Sequence, residues 1–386
     1  MIAKVREKTF ILFFMLSSSF LRANNDLQIK GVLSIDQIHA IEDSANASNR
    51  IANGANLNAA QVSFDKGLTN SIHLHLDFSF SKDGKARLGT AFIEKTLFEG
   101  LSFKAGQIPS PFSLEASESS KWLVFPSKSL AVSAFSPGIG PGLSVNYWTS
   151  TFGLKLAVRQ PSFDYYSQYK EDDENYNDRL AFIARFNVSP INTEEQTLHM
   201  SSSYTYQNIA KDLSFSTEPE FKTRDKNQFI GTDKIEADSL EIWGVEFAYL
   251  WNQFQMEAEY MAAVAEKSEK KYSYSGWHTQ VNYTLTGQRR LYSTDDGVFS
   301  NPDIKGNEQA VQIGIRYSHL DLNSTHSSTK DSDSANGGEE TNISFAINWY
   351  IKKSLKLTGA YIKVDATKQN ETRKPDVLLL RMQTTF

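Results

Sequence analysis

Cysteine is absent from the 386 residues, which excludes a disulfide scaffold, a thiolate nucleophile, and zinc–thiolate or iron–sulfur sites. Long apolar runs are absent as well. Beyond the first two dozen residues no stretch reaches the roughly 18 apolar residues that a membrane-spanning helix needs. A basic excess is also missing, because 40 Lys and Arg against 45 Asp and Glu leave a formal charge of −5. That balance argues against nucleic acid as a partner held by bulk charge. What is present is a chain with 40% hydrophobic and 12% aromatic residues, long enough for a large core or a large barrel.

The first residues have the order of an export signal. Lys4, Arg6 and Lys8 precede the apolar stretch Phe10 to Phe20, too short to cross a bilayer as a helix. Leu21-Arg22-Ala23 then offers a small residue before a cut. Residues 1–23 therefore read as a signal peptide and residues 24–386 as one mature domain. A buried N-terminal helix is the competing reading, and the basic-then-apolar order at residue 1 speaks against it.

The dominant pattern in the remainder has a period of two. In Ser71–Phe80, Ile72, Leu74, Leu76, Phe78 and Phe80 share one face, while Ser71, His73, His75, Asp77 and Ser79 share the other. Leu378, Leu380, Met382 and Phe386 likewise oppose Arg381, Gln383 and Thr385. A strand alternating this cleanly is wet on one side and apolar on the other. Runs of this type occur near 27–41, 58–66, 70–81, 86–98, 101–108, 142–149, 152–160, 178–189, 195–206, 239–251, 254–266, 276–287, 308–320, 342–350, 354–364 and 376–386. An even number of antiparallel strands, joined alternately by short turns and long polar loops, predicts a transmembrane β-barrel of sixteen strands. The 288–307 connection breaks the rule, since it falls on the short-turn, periplasmic side and yet is long.

Aromatic spacing supports membrane over sandwich. Trp243 and Trp251 lie on one face of a strand, about 26 Å apart along it and ~20 Å apart along the membrane normal after tilting. Tyr147-Trp148, Trp277 and Trp349-Tyr350 are placed near strand ends, as interfacial girdles require. Any one of these could be a core aromatic of a secreted β-sandwich; the sixteen strands favour the barrel. Function then belongs to the inner face, because a barrel of this strand number encloses water. Its polar side carries Lys30, Arg87, Lys104, Lys155, Arg159, Arg179, Arg185, Arg316, Lys356 and Arg381 against Asp36, Asp77, Glu246, Glu257 and Glu259. Acidity is concentrated in loops such as Glu171-Asp172-Asp173-Glu174. A basic lumen predicts anion preference; a mixed-charge, non-selective diffusion pore remains open on composition alone.

Specific motifs add a family likeness. Gly106-Gln107-Ile108-Pro109-Ser110-Pro111-Phe112-Ser113-Leu114-Glu115, followed by Ser119-Ser120-Lys121-Trp122, resembles the third-loop region of phosphate-selective porins of the O and P type. Gly276-Trp277-His278-Thr279-Gln280-Val281-Asn282-Tyr283-Thr284-Leu285-Thr286-Gly287-Gln288 is similar to that family's GWYVQ-x-SYFLTGE stretch, and Ile315-Arg316-Tyr317-Ser318-His319-Leu320-Asp321-Leu322 and Asn348-Trp349-Tyr350 fit its C-terminal part. The resemblance implies a homotrimeric, sixteen-stranded porin of a Gram-negative outer membrane, with a third loop folded inward and small inorganic or organic anions as solutes. It also implies that Ser119, Ser120 and Lys121 stand at the constriction, where two hydroxyls and an ammonium replace part of an anion's hydration shell. The second strand departs from the family pattern. Where the family tends to read RRARLGF, this chain has Asn58-Ala59-Ala60-Gln61-Val62-Ser63-Phe64, which argues against strong phosphate selectivity.

The expected pore and anion-binding set is therefore Lys121, Ser119, Ser120, Lys104, Lys155, Arg159, Arg179, Arg185, Arg316 and Arg381. No metal, cofactor or catalytic residue is expected. His73, His75 and Asp77 share a face, but next-nearest residues on one strand are ~6.6 Å apart and suit a single ion poorly. Gly138-Ile139-Gly140-Pro141-Gly142 has no βαβ unit around it and reads as the return from the third loop. An outer-membrane adhesin or hydrolase on the same scaffold is the alternative of another class. The first would bind without conducting, and the second would turn over lipid or ester.

Overall fold

The computed structural model describes residues 27–41, 51–81, 84–160, 180–209, 212–223, 228–306, 308–324 and 335–386; residues 1–23 lie outside them. Among the described residues, sixteen long antiparallel strands close on themselves. They are β1 (Gln28–Ile41), β2 (Gly54–Thr69), β3 (Ile72–Phe80), β4 (Ala86–Phe98), β5 (Leu101–Pro109), β6 (Ile139–Trp148), β7 (Phe152–Arg159) and β8 (Ala181–Asn192), then β9 (Gln196–Asn208), β10 (Ser239–Trp251), β11 (Phe254–Lys267), β12 (Lys270–Thr284), β13 (Ala310–Asn323), β14 (Asn336–Lys352), β15 (Leu355–Lys368) and β16 (Asp376–Thr385). Each pairs with its neighbours in sequence, and β1 pairs with β16 from Val32–Thr385 to Ile41–Asp376, so no edge is left open. Closure lets the backbone groups of the wall pair between neighbouring strands without water, the condition for crossing a bilayer with strands.

The period of two sets what each face meets. On β10, Trp243, Val245, Phe247 and Trp251 are exposed on the outside, while Glu246, Ala248 and Leu250 are buried inside. Ile313, Ile315, Phe345, Ile347, Leu378, Leu380 and Met382 continue the outer apolar band. Two of the expected girdle aromatics are placed differently. Tyr350 points inward and is 2% exposed. Trp277 faces outward but sits mid-strand, stacked on Tyr317 at 5.1 Å, because β12 begins at Lys270, six residues before the alternation is readable.

The enclosed space is not a uniformly polar tube. Toward the external end, inward residues such as Ile242, Met261, Ala263, Leu320, Ile362 and Val364 are buried. They form an apolar cluster with the third-loop helix α2 (Leu130–Phe135) and with Phe215, Phe221 and Ile230 of the 209–238 connection. From the other end, the long 285–309 connection carries a two-stranded ribbon, Arg290–Ser293 against Val298–Pro302. Phe299 of that ribbon is fully buried with Leu114, Ala248 and Leu250. The connection that broke the short-turn rule is thus long because it folds up into the barrel.

The root of the third loop needs glycine for close approach. A Cβ on Gly142 would lie 2.2 Å from the Val158 carbonyl oxygen, and one on Gly140 2.0 Å from that of Gln160. The Gly-rich stretch therefore starts β6 and lets β6 and β7 converge where the loop returns.

Candidate ion pathway

The third loop, residues 110–138, contains α1 (Leu114–Ser117) and α2, and its seat explains where the open passage runs. Buried side chains of the distant wall hold it. Arg316 of β13 reaches Glu115 at 2.8 Å, Glu220 at 2.8 Å and the Ser127 carbonyl at 3.0 Å. Lys356 of β15 donates to the carbonyls of Lys121 and Leu123 at 3.3 and 3.2 Å, and Asn348 of β14 donates to that of Val124 at 2.8 Å. Arg381 of β16 forks onto Asp36 at 2.6 and 2.7 Å and donates to the Pro126 carbonyl at 2.6 Å. Glu259 of β11 accepts the amides of Leu114 and Glu115. The ribbon adds Arg290, which reaches Glu118 at 3.2 Å and the Trp122 carbonyl at 3.2 Å. Burial alone would raise the Glu115 carboxyl, but Arg316 beside it, with the Ser129 amide, holds it below its ordinary range.

With the loop drawn to that side, the free space lies between it and the inner faces of β1 to β7. It is a cavity of about 530 Å3. Its lining includes Lys30, Lys104, Lys121, Lys128 and Lys155 against Asp77 and Asp296, with His75 and neutral Gln61, Ser63, Thr90, Ser117, Ser119, Ser144 and Asn146 between them. Several of these charges are partly compensated. Lys30 meets Asp65 at 3.1 Å, Lys104 meets Glu94 at 3.6 Å, and Lys155 meets Asp296 at 3.3 Å. Among the described residues no carboxylate lies within ion-pair distance of Lys121, whose ammonium sits 5.4 Å from the centre of the Trp122 ring. Partial burial, then repulsion from Lys30, lowers the Lys121 ammonium, while Asp65 and Asp77 oppose the shift. Asp296 is raised by burial, but Lys155 and Lys104 more than reverse this and keep it a carboxylate.

The expected residues divide by chemistry. Ser119, Lys121, Lys104 and Lys155 line the cavity. Ser120 neighbours them in the loop without contributing to the lining. Arg185, Arg316 and Arg381 do not face the passage: all three are buried in carboxylate pairs, Arg185 with Glu246 at 2.7 Å. Arg159 spends its guanidinium on Ser110 Oγ at 2.7 Å and on the carbonyls of Pro137 and Gln160. Arg179 lies outside the described residues. The physical reason is the shape of the two cations. The rigid guanidinium forks of Arg185 and Arg381 pair bidentately with carboxylates, whereas Lys104, Lys121 and Lys155 carry point charges on flexible stems that line the cavity; Lys356, buried against the third loop, braces it as the arginines do. Counting bases by face could not separate the two, since it does not tell which acid meets which base: Asp36 and Glu246 reach Arg381 and Arg185 from other strands, and Glu115 and Glu220 reach Arg316 from distant connections. Lys128 and Asp296 were missed for the same reason. The unusual length of 288–307 was the signal that could have pointed to Asp296.

Comparison with known proteins agrees with this architecture. The family model for phosphate-selective porin O and P matches residues 44–386. Porin O of Pseudomonas aeruginosa is 22% identical over 348 residues, covering 82% of this chain and 77% of that protein. Among solved structures, an anion-selective porin from Comamonas acidovorans aligns with TM-score 0.56 at 7% identity, over 94% of this chain and all of that one. The outer-membrane channel DcaP of Acinetobacter baumannii aligns with TM-score 0.56 at 11% identity, over 94% and 97%. OmpT of Vibrio cholerae, in a trimer form, aligns with TM-score 0.56 at 10% identity, over 94% and 99%. Closed barrel, inward third loop and family match together make the chain an outer-membrane porin, a member of the phosphate-selective porin O and P family.

Proposed function

We propose that this porin is a passive, anion-preferring channel whose selectivity comes from the lysine-lined gap between the third loop and strands β1 to β7. The observation that carries the reading is the lining itself, with five lysines and two carboxylates, while Arg185, Arg316 and Arg381 of the inner wall are neutralised in buried carboxylate pairs. Fixed positive charge in a narrow aqueous gap lowers the energy of a passing anion and raises that of a cation. Gln61 and Ser63 stand in the lining on the strand where the family pattern places arginines, so small anions in general, rather than phosphate in particular, are the solutes. The family and the trimeric OmpT support assembly as a homotrimer, and residues 1–23 fit an export signal removed before the barrel assembles.

Planar-bilayer recordings in a KCl gradient test the reading. The reversal potential is expected on the chloride side, and cation preference refutes it. Lys121→Glu should weaken or invert the preference, and an unchanged value removes Lys121 from the constriction. Asp77 and Asp296 in the lining favour one second reading, a non-selective diffusion pore, for which the reversal potential would lie near zero.

A further inference from the structure

Strands β11 and β12 bring together a cluster that does not line the passage. Glu257 lies opposite Gln280, and Glu259 opposite His278, so the four side chains form a square on the inner wall. All are buried: Glu257 and His278 are 0% exposed, Glu259 2% and Gln280 5%. Ligand atoms of Glu257, Glu259 and His278 lie within 4.8 Å of one another. Same-face neighbours on one strand have backbones ~6.6 Å apart, a gap that the long side chains of Glu257 and Glu259 close, and the adjacent strand brings His278 in from ~5 Å away.

Two further observations point to a cation. Among the described residues, both carboxylate oxygens of Glu257, both ring nitrogens of His278 and Oε1 of Gln280 are buried without a hydrogen-bond partner; Glu257 Oε1 and His278 Nε2 approach to 3.5 Å. Leaving so many polar atoms unsatisfied in a buried position is costly. The neighbouring arginines are also committed elsewhere, Arg185 to Glu246, Arg290 to Glu118, and Arg316 to Glu115 and Glu220. Among the described residues, His278 is then the one cationic side chain within ion-pair distance of Glu257, and none is within that distance of Glu259.

We infer that Glu257, Glu259 and His278 form a binding site for a divalent first-row transition-metal ion of zinc type. One imidazole and two carboxylates suit zinc, which binds both at ~2.0–2.2 Å; calcium and magnesium prefer all-oxygen sites. Gln280, opposite Glu257 in register and with its Oε1 buried, offers a fourth donor. Ligands of a tetrahedral ion stand ~3.4 Å apart, so side-chain adjustment closes the site without moving the strands. Glu259 also accepts the amides of Leu114 and Glu115 at 3.2 and 2.8 Å, so the ion ties the start of the third loop to the wall. The site is independent of the anion reading: either can fail without the other.

The test uses the folded, detergent-solubilised porin, stripped with EDTA, dialysed against zinc, manganese or calcium and desalted before elemental analysis. About one zinc per chain is expected, with calcium failing to compete at equal concentration. His278→Gln and Glu257→Gln should each lower zinc affinity at least ~tenfold, while His75→Gln leaves it unchanged. Because a buried variant can misassemble, zinc X-ray absorption on the wild-type protein provides the second measurement, with one imidazole nitrogen and a remainder of oxygens expected. Sub-stoichiometric zinc, full binding by folded His278→Gln, or a shell of several imidazoles overturns the site.

Discussion

Replacing Arg316 by Met tests the view that buried arginines seat the third loop and do not select ions. The guanidinium contacts Glu115 and Glu220 at 2.8 Å each and the Ser127 carbonyl at 3.0 Å, with its carbon 4.4 Å from the centre of the Phe125 ring. Removing one partner of a buried ion pair costs about 3–5 kcal/mol because the other charge is stranded, and here two carboxylates are stranded. That corresponds to a shift of roughly a hundred- to several-thousand-fold in the balance between seated and displaced loop. The barrel wall keeps its backbone ladder, so the variant should still migrate as a heat-modifiable folded species. Its single-channel current should be noisier, and its mean conductance higher. Converting Glu115 and Glu220 to Gln in the same chain removes the stranded charges and should restore much of the quiet state, because buried triads can be replaced by uncharged groups at little cost. Wild-type noise in the single variant, or no recovery in the triple variant, would refute the reasoning. The pH dependence has a definite sign. Glu115 is depressed below its ordinary 4.5, so its contribution to seating is present above that value and is lost as pH falls through the lower folded-state value. Noise that already rises at mildly acidic pH contradicts this assignment.

Three further outcomes follow from the geometry. The Lys121 ammonium is lowered from 10.5, so chloride preference should decline on alkalinisation before a free lysine would titrate, as reversal potentials measured across alkaline pH will report. Phe299→Ala removes a fully buried ring packed on Leu114 and Leu250, costing about 3–5 kcal/mol of ribbon packing; faster protease cleavage within 285–309 is expected, and unchanged cleavage counts against an inserted ribbon. Gly142→Ala places a methyl against the Val158 carbonyl, so the yield of heat-modifiable barrel should fall, whereas Gly287→Ala, with nothing within 4 Å but a positive φ of 94°, should cost only local turn strain.

The strands were legible because lipid imposes one rule on every outward position from end to end of the band. All sixteen predicted segments coincide with observed strands. Legibility failed where that rule stops. On β12, Tyr272 and Tyr274 point inward, with Tyr274 5.0 Å from Phe215 and donating to the Ala335 carbonyl. The apolar residues thus switch faces between Tyr274 and Trp277, and the sequence alternation breaks although the strand continues. The candidate pathway was only half readable for a related reason. Period-two reasoning tells which side chains face inward, but not which are then covered by a loop. Lys104 and Arg185 look equivalent by face; only the long-range approach of Glu246 and the ribbon to Arg185 tells them apart.

Arg381 belongs to the last strand, pairs with Asp36 of the first across 345 positions of sequence, and also holds the Pro126 carbonyl. Sealing the cylinder and fastening its internal constriction thus depend on the same guanidinium. A polypeptide inserted with its two terminal strands still apart lacks one of the clasps that narrows the opening, so newly made copies reach their final bore only when the seam zips.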